Sequence, residues 1–202
     1  MKHIIHSFLD GKAWESPKVS ENSLLRDKIA NEVSTWGTNI STRVTTQLLN
    51  NACNMAEYAY SHTSFEHQYF VALSTVFTFY ADDHCTTNPE PIGQFAQRII
   101  DNQPQLDPVL DRFVVLLKTS YDLWPRIAAN AIVSGAMDTM TGMYIEYTTK
   151  DMSSRRGATR YPLYLRTRAG FGPPYAHYVF PSEWRNTVNS YIQIIPSVSP
   201  ET

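Results

Sequence analysis

Phe70-Val71-Ala72-Leu73-Ser74-Thr75-Val76-Phe77-Thr78-Phe79-Tyr80-Ala81-Asp82-Asp83 is the stretch on which the fold turns. It is apolar on nearly every side and stops at two acids. Taken back to Thr63, where Thr63-Ser64-Phe65-Glu66 has the spacing of a capping box, it predicts a helix to about Asp83. At 1.5 Å per residue such a helix is roughly 31 Å long. A helix that is hydrophobic all round belongs in the middle of a core. The β-branched and aromatic content also suits a strand, but the run exceeds usual strand length. The nearly apolar part, Phe70 to Ala81, is too short to span a bilayer.

Helical periodicity continues to either side, with Pro and Gly falling between segments. Leu24, Leu25, Ile29 and Val33 form a stripe over Ser23 to Trp36, closed by Gly37. Ser41 to Tyr60 follows, with Ser41 or Thr42 as N-cap. Downstream, helices are expected over Ile92 to Gln103, Asp107 to Leu123, and from Trp124-Pro125 to about Thr148. The last of these is rich in small residues (Ala128, Ala129, Ser134, Gly135, Ala136, Gly142), which allow close helix approach, so it too reads as central. A polar, basic loop over 149–160 precedes a helix at Tyr161 to Ala169, a break at Gly170-Phe171-Gly172-Pro173-Pro174, and a final helix at about Ser182 to Ile195. The expected architecture is one all-α domain over 1–202, with 1–22 loosely structured.

Composition excludes several classes. The chain has 202 residues, 43% hydrophobic and 18% charged, which marks a globular protein rather than a disordered one. A net charge of −2 argues against nucleic-acid binding, which wants a basic stripe. Two cysteines, Cys53 and Cys85, without CxxC spacing or a signal peptide, predict a reduced, cytoplasmic protein with no transmembrane segment. The six histidines lack zinc-ligand spacing, and neither a nucleotide-cradling Gly-rich loop nor a Ser-His-Asp order stands out.

Chemistry concentrates at Asp82 and Asp83. Acids at a helix C-terminus sit at the wrong end of the macrodipole, so they invite an explanation. One is a solvated helix end. The other is Mg²⁺: a hard cation shared between one or two carboxylates and the phosphate oxygens of a substrate. In that reading Asp82, helped by Asp83, holds the metal and promotes loss of diphosphate, while Phe79 and Tyr80 face a carbocation through their rings. Arg166, in Tyr161-Pro162-Leu163-Tyr164-Leu165-Arg166, offers a donor fork suited to phosphate; alternatively Arg166 or Arg168 pairs with a surface carboxylate.

In order and spacing, these segments resemble the trichodiene synthase family of sesquiterpene cyclases from Ser41 to about Ile195. The most specific stretches are Asp138-Thr139-Met140-Thr141-Gly142-Met143-Tyr144-Ile145-Glu146, Tyr161 to Arg166, and Phe180-Pro181-Ser182-Glu183. The resemblance implies a class I terpenoid synthase bundle that ionises farnesyl diphosphate with Mg²⁺ and cyclises the cation. Asp82 would be the principal metal ligand, Asp83 its support, and Arg166 the diphosphate-binding arginine. Two departures accompany it. Asp82-Asp83 is followed by His84-Cys85-Thr86-Thr87 rather than a further acid. The family's Asn/Ser/Glu metal triad and its Arg-Tyr pair would fall beyond residue 202, so the bundle is expected to be incomplete at the C-terminus. Exposed apolar faces and a possible homodimer are corollaries, and a catalytically silent prenyl-binding protein is the alternative.

Overall fold

A computed structural model describes residues 21–37, 42–85, 87–153, 155–183 and 191–198. Among them there is helix and no strand. The expected loose lead-in therefore falls almost wholly outside the described residues. Asn22, at its end, caps the first helix, its side chain accepting from the Leu25 amide.

The helices are α1 (Ser23–Ser34), α2 (Thr42–Ala59), α3 (Phe65–Cys85), α4 (Glu90–Gly93), α5 (Phe95–Ile100), α6 (Pro108–Leu123), α7 (Arg126–Thr148), α8 (Tyr161–Ala169), α9 (Gly172–Tyr178) and α10 (Ile195–Val198). The two helices expected to be central are the hubs. α3 packs against α1, α2, α6 and α7, and α7 against α4, α5, α6, α8 and α9. Their buried apolar side chains, Ala129 aside, belong to one contiguous hydrophobic cluster.

Aromatic rings carry much of that cluster. Phe77 of α3 stacks on Trp36 at 4.7 Å and on Phe113 of α6 at 5.1 Å, and Phe113 continues to Phe95 of α5. A second group joins Phe70, Trp124 and Tyr178, and the Trp124 indole donates to the Tyr178 carbonyl. Some of the polar groups drawn into this interior are paired, whereas the buried Ser74, Tyr178 and Tyr191 hydroxyls have no hydrogen-bond partner among the described residues. The buried Glu57 carboxylate of α2 accepts from the Asn22 amide and from the Arg26 guanidinium, which ties α1 to α2.

Local signals fared unevenly. Gly37 follows α1 in the left-handed region at φ 63, where glycine carries no side-chain penalty. The helix expected over Ile92 to Gln103 is instead two short ones, α4 and α5, meeting at Gln94 and ending at Ile100. The capping box is absent: Ser64 precedes α3, with its hydroxyl on Glu66 and His67, while the Thr63 hydroxyl turns back to the Tyr60 carbonyl. The break at 170–174 is confined to Gly170 and Phe171, because Pro173 and Pro174 open α9 with their fixed φ. The final helix is not seen where it is described: 182–183 and 191–194 are turns, and Pro196 lies inside α10 rather than ending a helix. Residues 184–190, and Ser41 as N-cap, lie outside the described residues.

The small-residue reading of α7 holds for a concrete reason. A Cβ on Gly142 would come within 2.6 Å of the Ala169 amide nitrogen at the end of α8. Only glycine admits α8 at that distance, and α8 carries Arg166.

Candidate functional site

A cleft of about 660 Å³ opens between the C-terminal ends of α3 and α7 on one side and α8 with the start of α9 on the other. Residues three apart on a helix share a face. On α3 that brings Phe79 and Asp82 to the cleft; on α7 it brings Met143 and Glu146; α8 contributes Pro162, Leu165 and Arg166. Met55, Phe171 and Tyr175 complete an apolar wall.

The cleft is polarised. Asp82 and Glu146 face it from the last turns of two helices, where the macrodipoles are also negative. Partial burial, then the charges of Asp83 and Glu146, raise the Asp82 carboxyl above the ordinary aspartate value. Arg166 is the cation among the lining residues, and α8 buries none of its side chains. Among the described residues, the Asp82 and Glu146 carboxylates and the Arg166 guanidinium make no ion pair with one another or with a neighbour. Arg168 does: it pairs with Asp138 at 2.6 Å on the far side of α8. The surface-pair alternative thus describes Arg168.

The apolar wall has its polar atoms turned inward. The Thr75 hydroxyl donates to the Val71 carbonyl, so the Tyr175 hydroxyl, 2.9 Å away, donates to Thr75. Burial raises the Tyr175 phenol pKa and keeps the ring neutral. Phe171 sits at φ 53, uncommon for a bulky residue, with its ring buried edge-on to Tyr175.

The expected site residues separate. Asp82, Phe79 and Arg166 meet at the cleft. Asp83, exposed like Asp82, is not among the residues lining the cleft and acts on Asp82 through its charge. Tyr80 does not reach the cleft. One residue is about 100° of helix, which turns Tyr80 roughly 160° away from Asp82. Its ring packs edge-on against Trp36, and its hydroxyl donates to Asp107, the N-cap of α6. Glu146 is the group that the sequence reading passed over. Its signal is the one that exposed Asp82, an acid in the last turn of a largely apolar helix.

Among the described residues no three His, Cys, Asp or Glu side chains form a ready-made metal cage. Two carboxylates on an open cleft still suit Mg²⁺, which keeps several waters and takes the rest of its oxygens from a phosphorylated ligand. No helix of the described residues is long and apolar enough to cross a membrane.

The chain is similar to fungal terpene synthases. The α-cuprenene synthase COP6 of Coprinopsis cinerea is 30% identical over 139 residues, covering 68% of this chain and 42% of that protein. Monoterpene synthase 25 of Postia placenta is 27% identical over 199 residues, 96% of this chain and 58% of that one. Terpene synthase BipA of Cochliobolus sativus is 26% identical over 141 residues, 69% of this chain and 43% of its own. The chain therefore spans about half the length of the curated relatives it matches. No protein-family model matches it. None of these relatives is named a trichodiene synthase, so the likeness stands at the level of terpene synthases.

Proposed function

We propose that this chain carries the first metal motif and the diphosphate-binding arginine of a cytoplasmic, Mg²⁺-dependent terpene synthase acting on farnesyl diphosphate. The observation that carries the reading is the cleft itself: carboxylates and a guanidinium that make no ion pair among the described residues line one apolar, aromatic-walled space. Similarity to named terpene synthases supports it independently.

Asp82 and Glu146, with Asp83 adding charge, would hold Mg²⁺, which when bound would neutralise the diphosphate. Arg166 binds the diphosphate oxygens through its donor fork and keeps them at the mouth. The C–O bond breaks with both electrons leaving on the diphosphate, so the allylic carbon is left cationic. Phe79, Phe171 and Tyr175 then offer ring faces and edges to the prenyl chain, and an aromatic face stabilises a nearby cation. Tyr175 adds no free proton, because its hydroxyl is spent on Thr75. Loss of a proton from the cyclised cation ends the reaction as a hydrocarbon.

The test is incubation with farnesyl diphosphate and, separately, geranyl diphosphate, with and without Mg²⁺, followed by gas chromatography–mass spectrometry. A cyclic terpene that disappears without metal and in Asp82→Ala is the expected result. A folded chain that binds the prenyl diphosphate but yields no hydrocarbon would instead mark a prenyl-binding relative without catalysis.

A further inference from the structure

The Tyr147 hydroxyl donates to the backbone carbonyl of Asp82 at 3.0 Å. Asp82 lies among the last four residues of α3, whose carbonyls have no partner within the helix. Tyr147 occupies the last turn of α7, directly after Glu146. That bond joins the two helix ends that present Asp82 and Glu146 to the cleft. Those ends have every electrostatic reason to separate. Each is the negative end of a helix, and Asp82, Asp83 and Glu146 add like charges around the same point.

We propose that Tyr147 is a positioning residue, fixing the spacing of the Asp82 and Glu146 carboxylates before a divalent cation arrives. The inference rests on the metal reading of this cleft. Without the tether the helix ends relax apart, and a cation must draw them together at the expense of its own binding. Tyr147 touches neither metal nor substrate; it acts through the α3 backbone. Because the ring is only half-buried and the bond lies near the surface, losing the hydroxyl leaves the core intact.

The experiment uses the whole chain and Tyr147→Phe, which keeps the ring and removes only the donor, with Asp82→Asn beside them. Mg²⁺ affinity is measured by calorimetry, alone and with inorganic diphosphate. Amide hydrogen exchange over residues 79–83 and the melting temperature are recorded without metal. The expected result for Tyr147→Phe is Mg²⁺ affinity weaker by about three- to ten-fold, the range one hydrogen bond supports. Exchange at the last turn of α3 should quicken, and the melting temperature should hold. Unchanged affinity in Tyr147→Phe, where Asp82→Asn has lost binding, overturns the tether alone. A weakening that comes with a general fall in melting temperature overturns it as well, since the effect is then on the fold. If the unaltered chain takes up no Mg²⁺ even with diphosphate, the metal reading fails and this inference with it.

Discussion

α3 has two faces, and they are built on opposite principles. Towards α1 and α6, Phe77 and Tyr80 are held by stacked rings and by the Tyr80–Asp107 hydrogen bond. Towards α7 and α8, Phe79 and Asp82 look into a cleft whose carboxylates and guanidinium have no counter-ion among the described residues. The first face spends its side chains on stability. The second leaves exposed ionised groups without an ion-pair partner among the described residues, open to a ligand of complementary charge. Neighbouring residues of one helix thus serve different ends, and substitutions should divide accordingly.

The largest expected effect lies on the packed face. Phe77 is fully buried between Trp36 and Phe113, so Phe77→Ala should destabilise the chain by about 3–5 kcal/mol in chemical denaturation. A loss under about 1 kcal/mol would mean that this stack is not what holds α1 and α6 to α3.

Gly142→Ala tests the joint between the two faces. The added Cβ has backbone of α8 on it, so we expect a loss of about 1–3 kcal/mol from overpacking. Displacing α8 also moves Arg166, and inorganic diphosphate should bind more weakly. Retained diphosphate affinity would separate Arg166 from the cleft's function.

Tyr80→Phe sharpens the contrast most directly. Leaving the Asp107 carboxylate short of a buried donor should cost about 1–2 kcal/mol, with no change in Mg²⁺ or diphosphate binding. Weakened ligand binding at unchanged stability would return Tyr80 to the site.

The smallest stability effect belongs to Asp82→Asn, which should instead remove Mg²⁺ binding. The folded-state pKa of Asp82 lies above its ordinary value, so the native chain holds that proton more tightly than the unfolded chain does. Stability therefore declines as pH rises from the ordinary value through the raised one. At neutral pH the asparagine variant should be slightly the more stable, and the gap should close at pH below the ordinary aspartate value. A variant less stable than the parent at neutral pH would contradict the crowding of like charge at the cleft. Mg²⁺ uptake by the parent should likewise fall as acid protonates Asp82.

The fold was largely legible because its signals are local. Apolar side chains on nearly every side identified α3 as central, and the small side chains of Gly135, Ala136 and Gly142 identified α7. Boundaries were read less well where one residue decides: the turn at Gln94, the left-handed Phe171, and Pro173-Pro174 opening a helix rather than breaking one. The lining of the candidate cleft was half legible. Asp82 and Arg166 announced themselves as charges in apolar segments, whereas Tyr80 was assigned by adjacency to Asp82 when its helical angle points the other way.

By itself the sequence determined that the chain is helical, which two helices are central, and that an acid pair ends one of them. Each of these follows from side-chain pattern along a single segment. Only the tertiary structure decided that Glu146 and Asp82 line one cleft, that Tyr147 bonds the Asp82 carbonyl, and that among the described residues Arg168, not Arg166, is taken by an acid, Asp138. Such relations depend on how α3, α7 and α8 pack, and packing is set by surfaces meeting across the fold. No periodicity within one helix records which remote residue will stand opposite.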